Sequence, residues 1–281
     1  VCLAVSVFVF LTNINKENVS LANTISKASG TFFKCEVSSF RSYGASRACV
    51  IKQTKSPDKT IVLLGNSHAT MYAPLVSEAS PSSSDVLLVP LSGCLPTTSL
   101  NLSSKCLAMA KKNLSTVLKE EKVRIVIIGT TWYNKTYFDT DGEKIDKSNL
   151  KIAIETLVKE ISESGKHPVL FSPIAIPNKD YASELARKLR FNHISEQEVY
   201  NVIKFPRAIF DDEFSDINSH FQKLLGNAYV KIYDELCDQN DCVFGTEEMF
   251  YFADSNHLSQ YSLATFDKTK THLRALLASL N

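Results

Sequence analysis

The sequence predicts an α/β fold, a single parallel sheet in an α/β/α sandwich, and three observations predict it. Apolar runs of strand length stand at 61–64 (IVLL), 86–89 (VLLV), 125–128 (IVII) and 169–171 (VLF). They are continuous rather than alternating, as strands buried on both faces are. Helical stretches at 106–120, 150–164 and 217–225, with apolar spacing of about 3.6, separate them. Strands alternating with helices at such separations call for crossover connections and hence a parallel sheet. Finally, 281 residues that are 44% hydrophobic and 22% charged supply one sizeable core.

In chain order, the run VCLAVSVFVFL comes first. It is too short to span a bilayer and lacks the flanks of a signal peptide. Residues 1–12 are therefore expected to be the end of a truncated transmembrane helix, the alternative being a buried element of the domain. Residues 13–58 are polar and read as a linking segment packed partly on the domain that follows, 59–281. Strands are expected at 60–64, 86–89, 124–128, 168–171 and 229–232, and a last helix at 258–280 closes one side. Residues 181–214 are dense in charge and aromatics and read as solvated helices, with a lid or specificity insertion as the alternative.

A net charge of +1, with no basic block, makes nucleic acid an unsuitable partner. The seven cysteines hold no C-x-x-C and no neighbouring His at ligand spacing, so no metal site is expected. Neighbours in sequence close the cheapest loops, which favours Cys35–Cys49, Cys94–Cys106 and Cys237–Cys242 and leaves Cys2 over. Such bridges belong to an extracytoplasmic compartment. The sequons at Asn18, Asn101, Asn113 and Asn134 are expected by chance in a chain this rich in Ser and Thr.

Gly65-Asn66-Ser67-His68 stands where a buried strand turns into a helix. Free N–H groups and the positive end of a helix dipole suit a nucleophile there, although Ser also commonly serves as a plain N-cap. A serine hydroxyl needs a base, and that base needs a third group to hold its tautomer. Asp254 and His257, three residues apart in FYFADSNHLSQYS, supply both; the alternative is that Asp254 or Ser255 opens the last helix. His68, His167, His193, His220 and His272 show no comparable partner pattern.

These motifs resemble the SGNH-hydrolase superfamily, and more closely the periplasmic SGNH domain at the C-terminus of acyltransferase-three membrane proteins. Gly65-Asn66-Ser67-His68 is similar to the first block of that family, with Asn66 where an aspartate is usual, and Asp254-Ser255-Asn256-His257 to its last. Ser92-Gly93-Cys94-Leu95-Pro96 resembles the second block. The third block keeps Gly129 but has Thr130-Thr131-Trp132 in place of Asn-Asp.

The resemblance implies a flavodoxin-like SGNH fold with Ser67, Asp254 and His257 as a catalytic triad and the N–H groups of Ser67 and Gly93 in the oxyanion hole. Thr130, Thr131 or Asn134 would replace the missing third donor, worth about 3 kcal/mol in the transition state. Trp132 would stack on a sugar or wall the acyl pocket, or else be core. The implied activity is O-acetyl transfer to a surface polysaccharide, lipopolysaccharide or cell-wall glycan. The rivals are a carbohydrate esterase with the same triad and a non-catalytic glycan-presenting module. No cofactor is bound by this domain. Acetyl-CoA is implied as the ultimate donor, through an N-terminal multi-helix membrane domain at the inner (plasma) membrane, with this domain in the periplasm.

Overall fold

The apolar runs pair side by side. In the computed structural model, which describes residues 16–132, 137–177, 179–246 and 248–280, the chain divides into two compact units. Of the described residues, one unit contains those within 33–174, 212–235 and 266–280, and the other those within 16–32, 175–211 and 236–265.

The first unit is built on a seven-stranded sheet. Its strands are β1 (Phe40–Tyr43), β2 (Ser46–Lys52), β3 (Lys59–Gly65), β4 (Ser84–Pro90), β5 (Val123–Gly129), β6 (His167–Phe171) and β8 (Tyr229–Val230), in the order β1-β2-β4-β3-β5-β6-β8. From β4 to β8 every pairing is parallel. Every residue of β3 is buried, and Ile61 to Leu64 are at most 1% exposed. Removing each such side chain from water contributes roughly 1.5–3 kcal/mol. Helices Ser104–Lys119 and Lys147–Glu163 flank this sheet, each opened by a side-chain cap, from Ser103 and Asp146. Lys59 and Lys166 are buried at the sheet's lower rim, where each ammonium donates to two backbone carbonyls. Burial lowers both pKa values.

The order β4-β3-β5-β6-β8 is the doubly wound one expected, with the topological switch beside β3. β3 is level with both neighbours: Gly65 pairs with Pro90 on one side and Gly129 on the other. The chain segments leaving β3, β4 and β5 therefore start at the same height.

Two expectations change. The polar segment 13–58 supplies β1 and β2, an antiparallel hairpin that joins the sheet through β4. Of its side chains only Tyr43, Ala48 and Cys49 are buried, and Arg47 lies over the Phe40 ring at 4.7 Å, so apolar content does not announce it. The final helix is not continuous over 258–280. It divides into Gln260–Leu263 and Asp267–Ser279, and Leu258 instead bridges Phe252 in antiparallel fashion.

The other unit contains helices Lys16–Ser26, Tyr181–Arg190 and Glu196–Ile203, with the first two packed together. It also holds the short antiparallel pair β7 (Lys204–Pro206) and β9 (Asp241–Val243). The span 181–214 is thus largely helical, its second helix opened by a Ser195–Glu198 capping box. The three expected disulfides are present. Among the described residues no helix is long and apolar enough to cross a membrane. Residues 1–12, with Cys2, lie outside the described residues, as does Asn134. Asn101 and Asn113 are buried and hydrogen-bonded through their side chains, which makes both poor glycan acceptors.

Candidate active site

Gly65 ends β3 with φ +153°, and a Cβ there would fall 1.7 Å from the carbonyl oxygen of Gly129. Gly129 is equally constrained, since its Cβ would lie 2.7 Å from the Ala69 Cα. These small residues let the helix Ser67–Met71 start directly above the ends of β3 and β5. Its cap is not Ser67. Asn66 is the N-cap, accepting the His68 N–H at 3.0 Å, and its amide donates to the Thr130 hydroxyl at 3.4 Å. A carboxylate at position 66 would keep the cap but could not donate to Thr130, which is one effect of having Asn at this place. Ser67, the first residue of the helix, is half-buried.

Gly93 lies on the loop after β4. The Leu91 N–H donates to the Gly65 carbonyl at 2.7 Å, and the turn closes with Cys94 N–H on Leu91 at 2.8 Å. Gly93 is exposed with φ +71°, a left-handed position that favours glycine. The Cys94–Cys106 bridge and the Asn101 side chain, bonded to Leu95 and Thr97, hold this loop. Replacing both cysteines by Ala is expected to cost about 3 kcal/mol from loop closure alone. At roughly 2–4 °C per kcal/mol, thermal unfolding should fall by about 6–12 °C.

The third expected donor is placed differently. Thr130 is 3% exposed, and its hydroxyl contacts the Asn66 amide and, at 3.4 Å, the Thr131 carbonyl. It supports the Asn66 cap. Trp132 is 4% exposed, donates its indole N–H to the Phe171 carbonyl at 3.2 Å and packs against Phe221. It is a core residue, where a sugar-stacking face was the other expectation, because its polar edge is used and its ring is covered. His68 is buried, His220 faces Glu155 at 3.0 Å and His272 contacts the Asn227 carbonyl at 2.8 Å.

In the other unit, Asp254 and His257 form a closed turn. The Asp254 Oδ1 accepts the backbone N–H groups of Asn256 at 2.8 Å and His257 at 2.7 Å. Its Oδ2 lies 2.8 Å from His257 Nδ1. Burial raises the Asp254 pKa and is the largest single influence. The His257 hydrogen bond, the backbone N–H of Asn256 and the His257 charge together outweigh it, and the carboxyl is held below its ordinary value. An ionised Asp254 accepts Nδ1–H, which puts the lone pair of neutral His257 on Nε2. The turn sits between an antiparallel bridge, Phe252 to Leu258, and the Ala253 N–H on the His257 carbonyl at 2.8 Å. The helix that follows is capped by Ser259, so neither Asp254 nor Ser255 is a helix cap. Asp254→Asn would retain the shape yet favour the other tautomer, with the proton on Nε2, and the ring-nitrogen chemical shifts of His257 are expected to report the change.

Ser67, Gly93 and Thr130 thus leave three adjacent strands, while the Asp254–His257 pair belongs to the other unit. What sequence reasoning missed is the Asn66–Thr130 hydrogen bond and the T-shaped contact of Phe32 with His257, centroids 5.7 Å apart. Both join residues far apart in the chain, and no local pattern signals them.

No curated protein matches. Among solved structures, the periplasmic domain of the lipopolysaccharide acetyltransferase of Salmonella ser. Paratyphi A is similar in fold, with TM-score 0.53 and 12% identity, over 92% of this chain and 97% of that one. A candidate acylhydrolase from Bacteroides fragilis NCTC 9343 matches with TM-score 0.42 and 10% identity, over 82% of this chain and 93% of that one. The family model for the SGNH domain fused to AT3 domains matches residues 34–267, and the chain belongs to that family of enzymes acting on acyl groups.

Proposed function

We propose that the chain is an O-acetyltransferase domain that passes an acetyl group through Ser67 to a hydroxyl of a surface polysaccharide or lipopolysaccharide. The observation that carries this reading is the hydrogen-bonded Asp254–His257 pair, with Nδ1 committed to the carboxylate. A base with its proton on Nδ1 and its lone pair on Nε2 is what a serine nucleophile requires.

In the first half-reaction, the Ser67 Oγ attacks the carbonyl carbon of the donor ester while His257 Nε2 takes the hydroxyl proton. Asp254 stabilises the imidazolium. The N–H groups of Ser67 and Gly93 bind the oxyanion of the tetrahedral intermediate, with Thr130 acting through Asn66. The donor's leaving group departs with the proton from His257, and acetyl-Ser67 remains. In the second half, a sugar hydroxyl attacks the acetyl carbonyl, His257 takes that proton, and it is returned to the Ser67 oxygen as the ester bond breaks.

Membership of a family fused to AT3 domains favours transfer over hydrolysis, since a membrane acyltransferase domain is then the partner that delivers the acyl group. Acetyl-CoA is the proposed ultimate donor, used by that partner at the inner membrane, and this domain binds no cofactor itself. Three disulfides fit the extracytoplasmic side. The similar fold of a lipopolysaccharide acetyltransferase periplasmic domain supports a glycan acceptor.

The test is to incubate the chain with p-nitrophenyl acetate and follow intact mass, with and without an oligosaccharide acceptor. One acetyl group on Ser67, discharged faster by the sugar than by water, is the expected result. Discharge by water alone, unaffected by sugar, would make the domain an esterase, and an adduct or turnover that survives Ser67→Ala would remove Ser67 from the nucleophile role.

A further inference from the structure

We infer that Phe32 is a positioning residue for His257 and that it keeps water from the imidazole, thereby setting how the acyl-enzyme divides between sugar and water. This deepens the proposed function and rests on His257 being its general base.

The segment before Phe32 is attached to both flanks of the catalytic turn. The Gly30 N–H donates to the Ala253 carbonyl at 2.9 Å, immediately before Asp254. The Thr31 carbonyl accepts the Gln260 N–H at 3.0 Å, three residues after His257. Gly30 has φ +69°, and the Thr31 hydroxyl closes back on the Ala28 carbonyl at 2.6 Å, so the chain is turned tightly as it reaches the site. The next residue is Phe32, whose ring meets the His257 imidazole at 88° between planes with centroids 5.7 Å apart.

This attachment is itself anchored. The helix Lys16–Ser26 buries Leu21, Ala22 and Ile25 and packs on the helix Tyr181–Arg190. Arg190 reaches Asn23 at 3.2 Å and Ser26 at 3.3 Å. A mere filler would be buried, but Phe32 is 36% exposed, so its ring covers the imidazole at the solvent boundary. The imidazole therefore has two restraints of different kinds. Asp254 fixes its edge and tautomer through Nδ1, and Phe32 limits its rotation and covers part of it with apolar surface. The second matters most after acyl-Ser67 has formed, because water and the sugar hydroxyl then compete for the same base.

Phe32→Ala is expected to shift the sugar-to-water ratio of acyl-enzyme discharge toward water by about three- to tenfold, the scale of one aromatic pair. Phe32→Tyr, which keeps the ring, should restore it. The His257 imidazole proton resonances should move in Phe32→Ala through loss of the ring current, and remain near their original positions in Phe32→Tyr. Thermal unfolding of each variant shows whether the fold is intact. An unchanged discharge ratio with unmoved imidazole resonances, in a folded Phe32→Ala protein, would overturn the inference. A lowered melting temperature with no change in either readout would leave Phe32 a packing residue and overturn it equally. Should the parent chain never acylate Ser67, the proposed function fails, and the resonances then decide alone whether Phe32 positions His257.

Discussion

Ser67→Ala is expected to reduce acyl transfer by about 10⁶-fold while leaving the thermal transition where it is. The size follows from removing the covalent route altogether: no side chain is left to carry the acetyl group, and what remains is binding and oxyanion stabilisation. The selectivity follows from the local structure. The helix over the strand ends is capped by Asn66, which accepts the His68 N–H, so losing the Ser67 hydroxyl costs no helix cap. A cap serine changed to alanine would itself cost about 0.5–2 kcal/mol and show in the melting curve. Steady-state rates and calorimetry on the same preparation test both halves. A large drop in melting temperature together with a modest loss of rate would make Ser67 structural.

Gly65→Ala is expected to prevent folding rather than impair catalysis. A Cβ at this position would lie 1.7 Å from the Gly129 carbonyl oxygen and 2.9 Å from the Ala69 Cβ. Neither neighbour has room to move. The Gly129 carbonyl belongs to β5, paired with β3, and Ala69 lies in the helix that crosses both. A backbone with φ +153° adds strain to the clash. The cost should exceed about 4–5 kcal/mol, the range in which single substitutions become exceptional. The measurement is soluble yield and far-ultraviolet dichroism after expression; a folded Gly65→Ala protein with a normal melting point would show that the β3–β5 end can open.

The central sheet was legible because its strands are buried on both faces, and burial on both faces writes an unbroken apolar run. IVLL, VLLV and IVII need no partner to be recognised. The hairpin β1–β2 was not legible for the converse reason: Phe40, Arg41 and Ser42 are exposed or half-exposed at the sheet edge, and composition there resembles that of a linker. The expected last helix is too long because Leu263, Phe266, Leu273 and Leu277 keep a helical spacing across the break at 264–266. At the candidate site, the Asp254–His257 pair was legible because both groups lie in one four-residue turn. Asn66 with Thr130, and Phe32 with His257, were not. Those pairs are made by topology, which brings together the ends of strands or the start of the chain and a distant loop, and sequence spacing carries no trace of it.

The Cys35–Cys49 bridge has a mechanical consequence. Cys49 lies in β2, opposite Leu88 of β4, and Cys35 lies five residues before β1. Tension entering this unit along the chain from its N-terminal side passes through the sulfurs straight to Cys49, and the hairpin between the two cysteines carries none of it. The load reaches the sheet at the β2–β4 ladder. If the domain is tethered upstream, an oxidised bridge would let the hairpin keep its register while the tether is pulled, whereas after reduction the pull would fall first on β1, the outermost strand.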